Sequence, residues 1–135
     1  MTTATTSDRQ QFLFDAFITA CEGGIGYWAC IEKYHWRKPG VSTDAPIGAD
    51  EDLDGFFAVI TEEETGKSHR IDAKVIRKGI NALAKGTCTF GGQPLSDEAR
   101  KFYAKANAAN DAGMLDSNTA DNVVQAGLFN DIVYG

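Results

Sequence analysis

The chain is poor in the groups on which much protein chemistry depends: 135 residues hold three cysteines, two histidines, three prolines and two methionines. Cys21, Cys30 and Cys88 are odd in number and irregularly spaced, with no Cys-x-x-Cys pair, which argues against a disulfide framework. A free thiol in an apolar pattern behaves as a small hydrophobe, the reading given to Cys21 and Cys30. No His-x-x-x-His spacing links His35 to His69, so no metal site is expected. No apolar run exceeds five residues, too few to span a bilayer. Residues 1–8 lack the basic-then-apolar order of a secretory signal. Cations are scarce as well: thirteen Lys and Arg against nineteen Asp and Glu leave a net charge of −6. Affinity for duplex nucleic acid rests on Lys and Arg against phosphates, so no duplex partner is expected. Gly-x-Ser-x-Gly, Walker and kinase patterns are also missing, which makes an enzyme the less expected class. These absences predict a cytoplasmic chain with reduced thiols, no membrane span, no metal and no cofactor.

What is present suffices for a core. Apolar residues make up 43% of the chain and aromatics 10%, and the length fits one domain over residues 1–135. Residues 1–6 read as a mobile polar tail. Ser7 and Gln10 have the spacing of a capping box. Behind them Phe12, Leu13, Ala16, Phe17, Ala20 and Cys21 recur with helical period until Gly23 and Gly24. Residues 25–34, rich in aromatic and β-branched side chains, predict a strand. Residues 35–54 hold Pro39, Gly40, Pro46, Gly48 and an acidic run, and predict a long acidic loop of a length that is uncommon in a compact domain. Residues 56–61 read as a second strand, with a turn at 62–66 and a short return over 67–70. Asp72 is placed to cap a second helix carrying Val75, Ile76, Ile80 and Leu83, ended by Gly86. Residues 86–95 read as a glycine-rich loop. Ser96 opens a third helix, Asp116 or Ser117 a fourth, and the apolar end at Ile132, Val133 and Tyr134 is expected to dock on this subunit or on another. The order predicts an α+β fold: a small antiparallel sheet of two or three strands packed with about four helices.

Two constellations stand out for chemistry. Residues 67–85 hold six bases and one acid, a local charge of +5, which leaves −11 for the rest of the chain. Arg70, Lys74, Arg77, Lys78 and Lys85 recur at helical spacing and define an anion-attracting strip on an otherwise repulsive protein. The same spacing also describes an ordinary solvated helix face. Trp36, Arg37 and Lys38 put an aromatic face beside two cations, the combination that base stacking and phosphate pairing require. Gly23, Gly24 and Gly26 follow a helix and precede a strand, the wrong order for a phosphate-gripping loop, and read as a sharp turn that packs Tyr27 and Trp28. The size of Trp28 favours a place in the core.

Three stretches, ACEGGIGYW at 20–28, IDAKVIRKGI at 71–80 and NDAGMLDSNTADNVVQAGLFNDIVYG at 110–135, resemble a family of small acidic proteins encoded by actinobacterial phages. The resemblance implies expression in the cytoplasm of a bacterial host and an accessory or counter-defence role. It carries no catalytic residues. In that setting the sequence points to a non-catalytic protein that binds a small anionic ligand, sequestering a nucleotide immune signal. The site would use Trp36, Arg37, Lys38, Arg70, Lys74, Arg77 and Lys78, and a homo-oligomer would deepen it. The first alternative is an acidic inhibitor directed at a host or defence protein, with the acids of 50–54 and 62–64 forming its face. The second is a small enzyme acting on a nucleotide, with His35 or His69 as acid–base group.

Overall fold

A computed structural model of the chain describes residues 3–38 and 51–135. Helix α1 (Thr3–Gly23) is buried on more than one side, because its apolar residues occupy adjoining positions and not a single stripe. Phe12, Leu13, Phe14, Ala16, Phe17 and Ala20 are each at most 2% exposed. The helix begins upstream of Ser7, since nothing between Thr3 and Ser7 breaks it. Ser7 is therefore not an N-cap, and Gln10 donates to the carboxylate of Asp54 instead of reaching back. A 3₁₀ turn at Ile25–Tyr27 follows, so the first strand starts later than the aromatic pattern suggests. Gly24 is required there by close approach: a Cβ would lie 2.6 Å from the Ser117 carbonyl oxygen and 2.9 Å from the Asp121 Cβ.

Strands β1 (Ala29–His35), β2 (Phe57–Glu62) and β3 (Ser68–Asp72) form an antiparallel sheet in the order β1-β2-β3. Its registers bring His35 opposite Phe57 and Phe57 opposite Asp72. Along β2, Ala58, Ile60 and Glu62 are buried while Phe57, Val59 and Thr61 are partly exposed, the period of a half-buried strand. The aromatic pairs Phe14–Phe56 and Phe17–Phe56, with centroids 5.5 and 4.6 Å apart, fix α1 against the entry to β2. The predicted loop is tied at its ends: Arg37 bridges to Glu51, and the Asp52 N–H donates to the Trp36 carbonyl at 2.9 Å. The rest of that loop, 39–50, lies outside the described residues.

Helix α2 (Ala73–Lys85) starts and stops where the sequence places it. Asp72 accepts from the Val75 N–H at 3.2 Å, and Gly86 takes the left-handed conformation at φ 70°. Its Ile76, Ile80 and Leu83 are buried, each worth about 1.5–3 kcal/mol in area removed from water. Strands β4 (Thr89–Phe90) and β5 (Gln93–Pro94) form a hairpin across Gly91 and Gly92, whose φ values of 57° and 82° suit a two-residue turn. Helix α3 (Asp97–Ala109) is capped by Ser96, and helix α4 (Ser117–Phe129) by Asp116 in a capping box with Thr119. Strand β6 (Asp131–Ile132) then pairs in parallel with β4, completing a second three-stranded sheet in the order β5-β4-β6. The fold is α+β, with four α-helices and two small sheets among the described residues, one sheet more than the sequence predicts. Among the described residues, no helix is long and apolar enough to cross a membrane.

Helices α2 and α4 cross at two glycines. A Cβ on Gly79 would sit 1.9 Å from the Val123 carbonyl oxygen, and one on Gly127 would sit 2.2 Å from the Val75 carbonyl oxygen. Only hydrogen at both positions lets the backbones approach this closely. The contact sets the angle at which α4 carries Asp121 and Gln125 toward the residues after α1.

Candidate functional site

Asp121 and Gln125 lie one turn apart on α4 and are buried among Ala120, Val123, Val124 and Ala126. A carboxylate in such surroundings needs donors. Three converge on it: Trp28 Nε1 at 2.8 Å, Tyr27 Oη at 2.7 Å and Gln125 Nε2 at 2.8 Å. Gln125 also clamps the end of the chain, donating to the Tyr134 carbonyl at 2.9 Å and accepting from the Tyr134 N–H at 2.8 Å. The Tyr134 ring stacks on Trp28 at 5.0 Å and 10°, and its hydroxyl donates to Glu62 at 2.6 Å. The second oxygen of Glu62 meets His69 Nε2, also at 2.6 Å. One hydrogen-bonded path thus runs from α4 through the terminal segment to β2 and β3. The apolar end docks on its own subunit, with Ile132 only 2% exposed. Trp28, also 2% exposed, belongs to the core.

The carboxyl groups of this network are tuned in opposite directions. Burial pushes the Asp121 pKa up, against the pull of its three donors. Glu62 is held below the usual glutamate range, first by its hydrogen bond to His69 and next by that from Tyr134. The Tyr134 phenol is pushed up to about 12, chiefly by donating to Glu62, with the charge of Glu64 adding to the shift. Tyr27 also rises to about 12, through burial first and then its bond to Asp121.

Above the network opens a cleft of about 500 Å³ lined by Tyr27, Trp28, Glu63, Glu64, Val133 and Tyr134. Tyr27 and Val133 are 56% and 51% exposed, and Glu63 and Glu64 stand exposed on the turn after β2. The floor is aromatic and the rim acidic. Such a cleft offers ring faces and carboxylates to a cation, and among the described residues no cationic side chain lines it. The sequence holds a signal for this site in the polar pair Asp121 and Gln125, one turn apart and set among Ala120, Val123, Val124 and Ala126.

The predicted ligand residues are distributed differently. Arg70 lies on β3 and not on the helix, its guanidinium 4.1 Å above the Phe57 ring and 3.5 Å from Asp72. His35 stacks on the same ring at 5.5 Å, so Phe57 joins Arg70 to the edge of the aromatic-basic segment. Lys74, Arg77 and Lys78 are exposed on α2 and make no ion pair within 4.0 Å among the described residues. Arg9 of α1, part-buried beside the Asn107 carbonyl and Asn110, has its pKa lowered by burial and by the charge of Arg77. Arg37 lies 5.3 Å over Trp36, and Lys38 is exposed. Of the seven, Trp36 alone lines one of the described clefts. That cleft, about 360 Å³, pairs Phe14, Ile18 and Trp36 with Asp15, Glu22 and Glu51 and is also acidic.

Each histidine meets a carboxylate, His35 to Asp52 at 2.9 Å and His69 to Glu62 at 2.6 Å, and neither lines these clefts. Among the described residues no group of three His, Cys, Asp or Glu side chains is placed to hold a metal ion. No family model, curated protein or solved structure matches the chain.

Proposed function

We infer that the protein is a non-catalytic binding protein directed at another protein, taking a basic segment of its partner into the cleft at Tyr27. The observation that carries this reading is the pairing of the exposed Tyr27 ring and the half-buried Tyr134 ring with the acidic rim of Glu63 and Glu64. A Lys or Arg side chain gains there from both ring faces and carboxylates, and its stem covers Val133. The net charge of −6 steers such a partner inward. With the resemblance to phage proteins, the partner is a protein of the bacterial host or of its defences, met in the cytoplasm.

The test is a titration by fluorescence polarisation with labelled peptides of equal length, one rich in Lys and Arg, one neutral and one acidic. The basic peptide should bind and weaken with added salt, and the E63Q/E64Q double variant should lose about tenfold in affinity, or about 1.4 kcal/mol. Equal binding of all three peptides, or an unchanged double variant, overturns the reading.

A second reading, capture of a small nucleotide-like anion, is favoured by the exposed Lys74, Arg77 and Lys78, which make no ion pair among the described residues, and by the repulsion between Arg9 and Arg77. It is tested by native mass spectrometry with a cyclic dinucleotide and with ADP-ribose. Retention by the wild type and loss in R77A/K78A support it; equal retention by both counts against it. The expectation of a homo-oligomer belongs to this reading.

A further inference from the structure

The order β1-β2-β3 leaves one side of β1 without a strand partner among the described residues. An unpaired edge displays free N–H and C=O groups and is a template for another strand. With seven residues, β1 is the longest strand among the described residues, and it carries two of the exposed large hydrophobic residues, Ile31 at 36% and Tyr34 at 38%. Residues three apart on a regular strand point to opposite faces. Here the register against β2 shifts between Ile31 and Lys33, so Ile31 pairs with Ile60 and Tyr34 with Ala58, both fully buried residues. The irregularity at Glu32 thus puts both side chains on the core side of the sheet, at its open edge.

We propose that β1 pairs antiparallel with β1 of a second copy of this chain, about a two-fold axis between Glu32 and Lys33. In this register Glu32 lies opposite the partner's Lys33, and Ile31 lies opposite the partner's Tyr34. The axis repeats each contact, giving two Glu–Lys pairs and two Ile–Tyr pairs. A two-fold normal to the sheet keeps both core faces on one side, so the apolar pairs extend the two cores into each other. Centring the pairing on Glu32 would oppose two carboxylates, and centring it on Lys33 would oppose two ammonium groups. Charge therefore selects the register. The product is a six-stranded sheet in the order β3-β2-β1-β1-β2-β3. The interface is independent of the cleft at Tyr27 and of any ligand. It also differs from one built on the Ile132 end, which is taken up within its own subunit.

Sedimentation velocity of the full chain over a concentration series tests the proposal. The wild type should approach twice 14.6 kDa as concentration rises. Glu32→Lys and Lys33→Glu each replace two attractive pairs by two repulsive ones and should weaken the dimer about tenfold or more. The double variant E32K/K33E restores opposite charges across the axis and should restore the dimer. That rescue separates a lost contact from a lost fold, and all four side chains of the register are exposed. A wild type that stays monomeric, a dimer indifferent to the single reversals, or a double variant that remains a monomer overturns the proposal.

Discussion

The indole N–H of Trp28 donates to the carboxylate of Asp121 at 2.8 Å, and both residues are almost wholly buried, at 2% and 1% exposure. The bond joins the turn after α1 to the first half of α4, 93 residues further along the chain. It turns a costly buried charge into a connector, because the same carboxylate also takes the Tyr27 and Gln125 donors.

Replacing Asp121 with Ala strands the buried Trp28 N–H, whereas Gln125 Nε2 keeps the Tyr134 carbonyl as acceptor and the exposed Tyr27 hydroxyl can turn to water. An unsatisfied buried donor costs about 1–3 kcal/mol. Asp121→Ala should therefore lower the unfolding free energy by about 1–3 kcal/mol in urea titrations. Asp121→Asn keeps the volume and one acceptor oxygen, and should cost less.

The opposed pKa shifts of Glu62 and Asp121 give an acid-limb prediction. Glu62 is held low, so its stabilisation is complete above the ordinary glutamate range and is lost as pH falls through its folded value. Asp121 is raised, so its penalty eases as pH falls through its folded value and is gone below the ordinary aspartate range. Thermal unfolding against pH should show a flatter acid limb in Glu62→Gln and a steeper one in Asp121→Asn. The same slope in wild type and both variants would refute the assignment.

At the α2–α4 crossing, Gly79→Ala places a methyl group 1.9 Å from a backbone oxygen, and Gly127→Ala places one 2.2 Å from another. Neither neighbour is a flexible side chain, so each substitution should cost about 3 kcal/mol by overpacking. Once the first methyl group has moved the helices apart, the second meets less resistance. The double variant should lose less than the sum of the single losses, as read by chemical denaturation.

Of the three thiols, Cys30 is exposed while Cys21 and Cys88 are buried. Burial raises the pKa of both buried thiols, that of Cys21 to about 12. A thiol reagent at neutral pH should modify one group quickly in the native protein and all three in denaturant. Fast modification of a second native thiol would contradict the burial of Cys21 on α1 or of Cys88 before β4.

Local chemistry made much of this fold readable. Asp72 and Gly86 bound α2 in the sequence and in the structure, because an N-cap carboxylate and a left-handed glycine act within one turn of the helix they limit. The second sheet was not readable: its strands are two residues long, too short for an alternating pattern, and β6 pairs with β4 across some 40 residues of chain. Ser7 illustrates the reverse case, a capping pattern overridden because the helix continues upstream of it.

The candidate site divides along the same line. The acids at 62–64 and the aromatic pair at 27 and 28 are visible in the sequence, but as separate features. Their meeting depends on Gln125 and Asp121 reaching Tyr134 and Trp28, contacts spanning 9 and 93 residues. The sequence by itself determined the limits of α2 and the starts of α3 and α4, the turn at Gly66, the apolar content of the core and the surplus of negative charge, since each follows from neighbours or from composition. Tertiary structure alone decided that Arg70 seats over the Phe57 ring, that the clefts are acidic and aromatic, and that the apolar end closes on its own subunit. Those outcomes depend on which distant side chains share a small volume, and there packing and hydrogen-bond satisfaction outweigh local pattern.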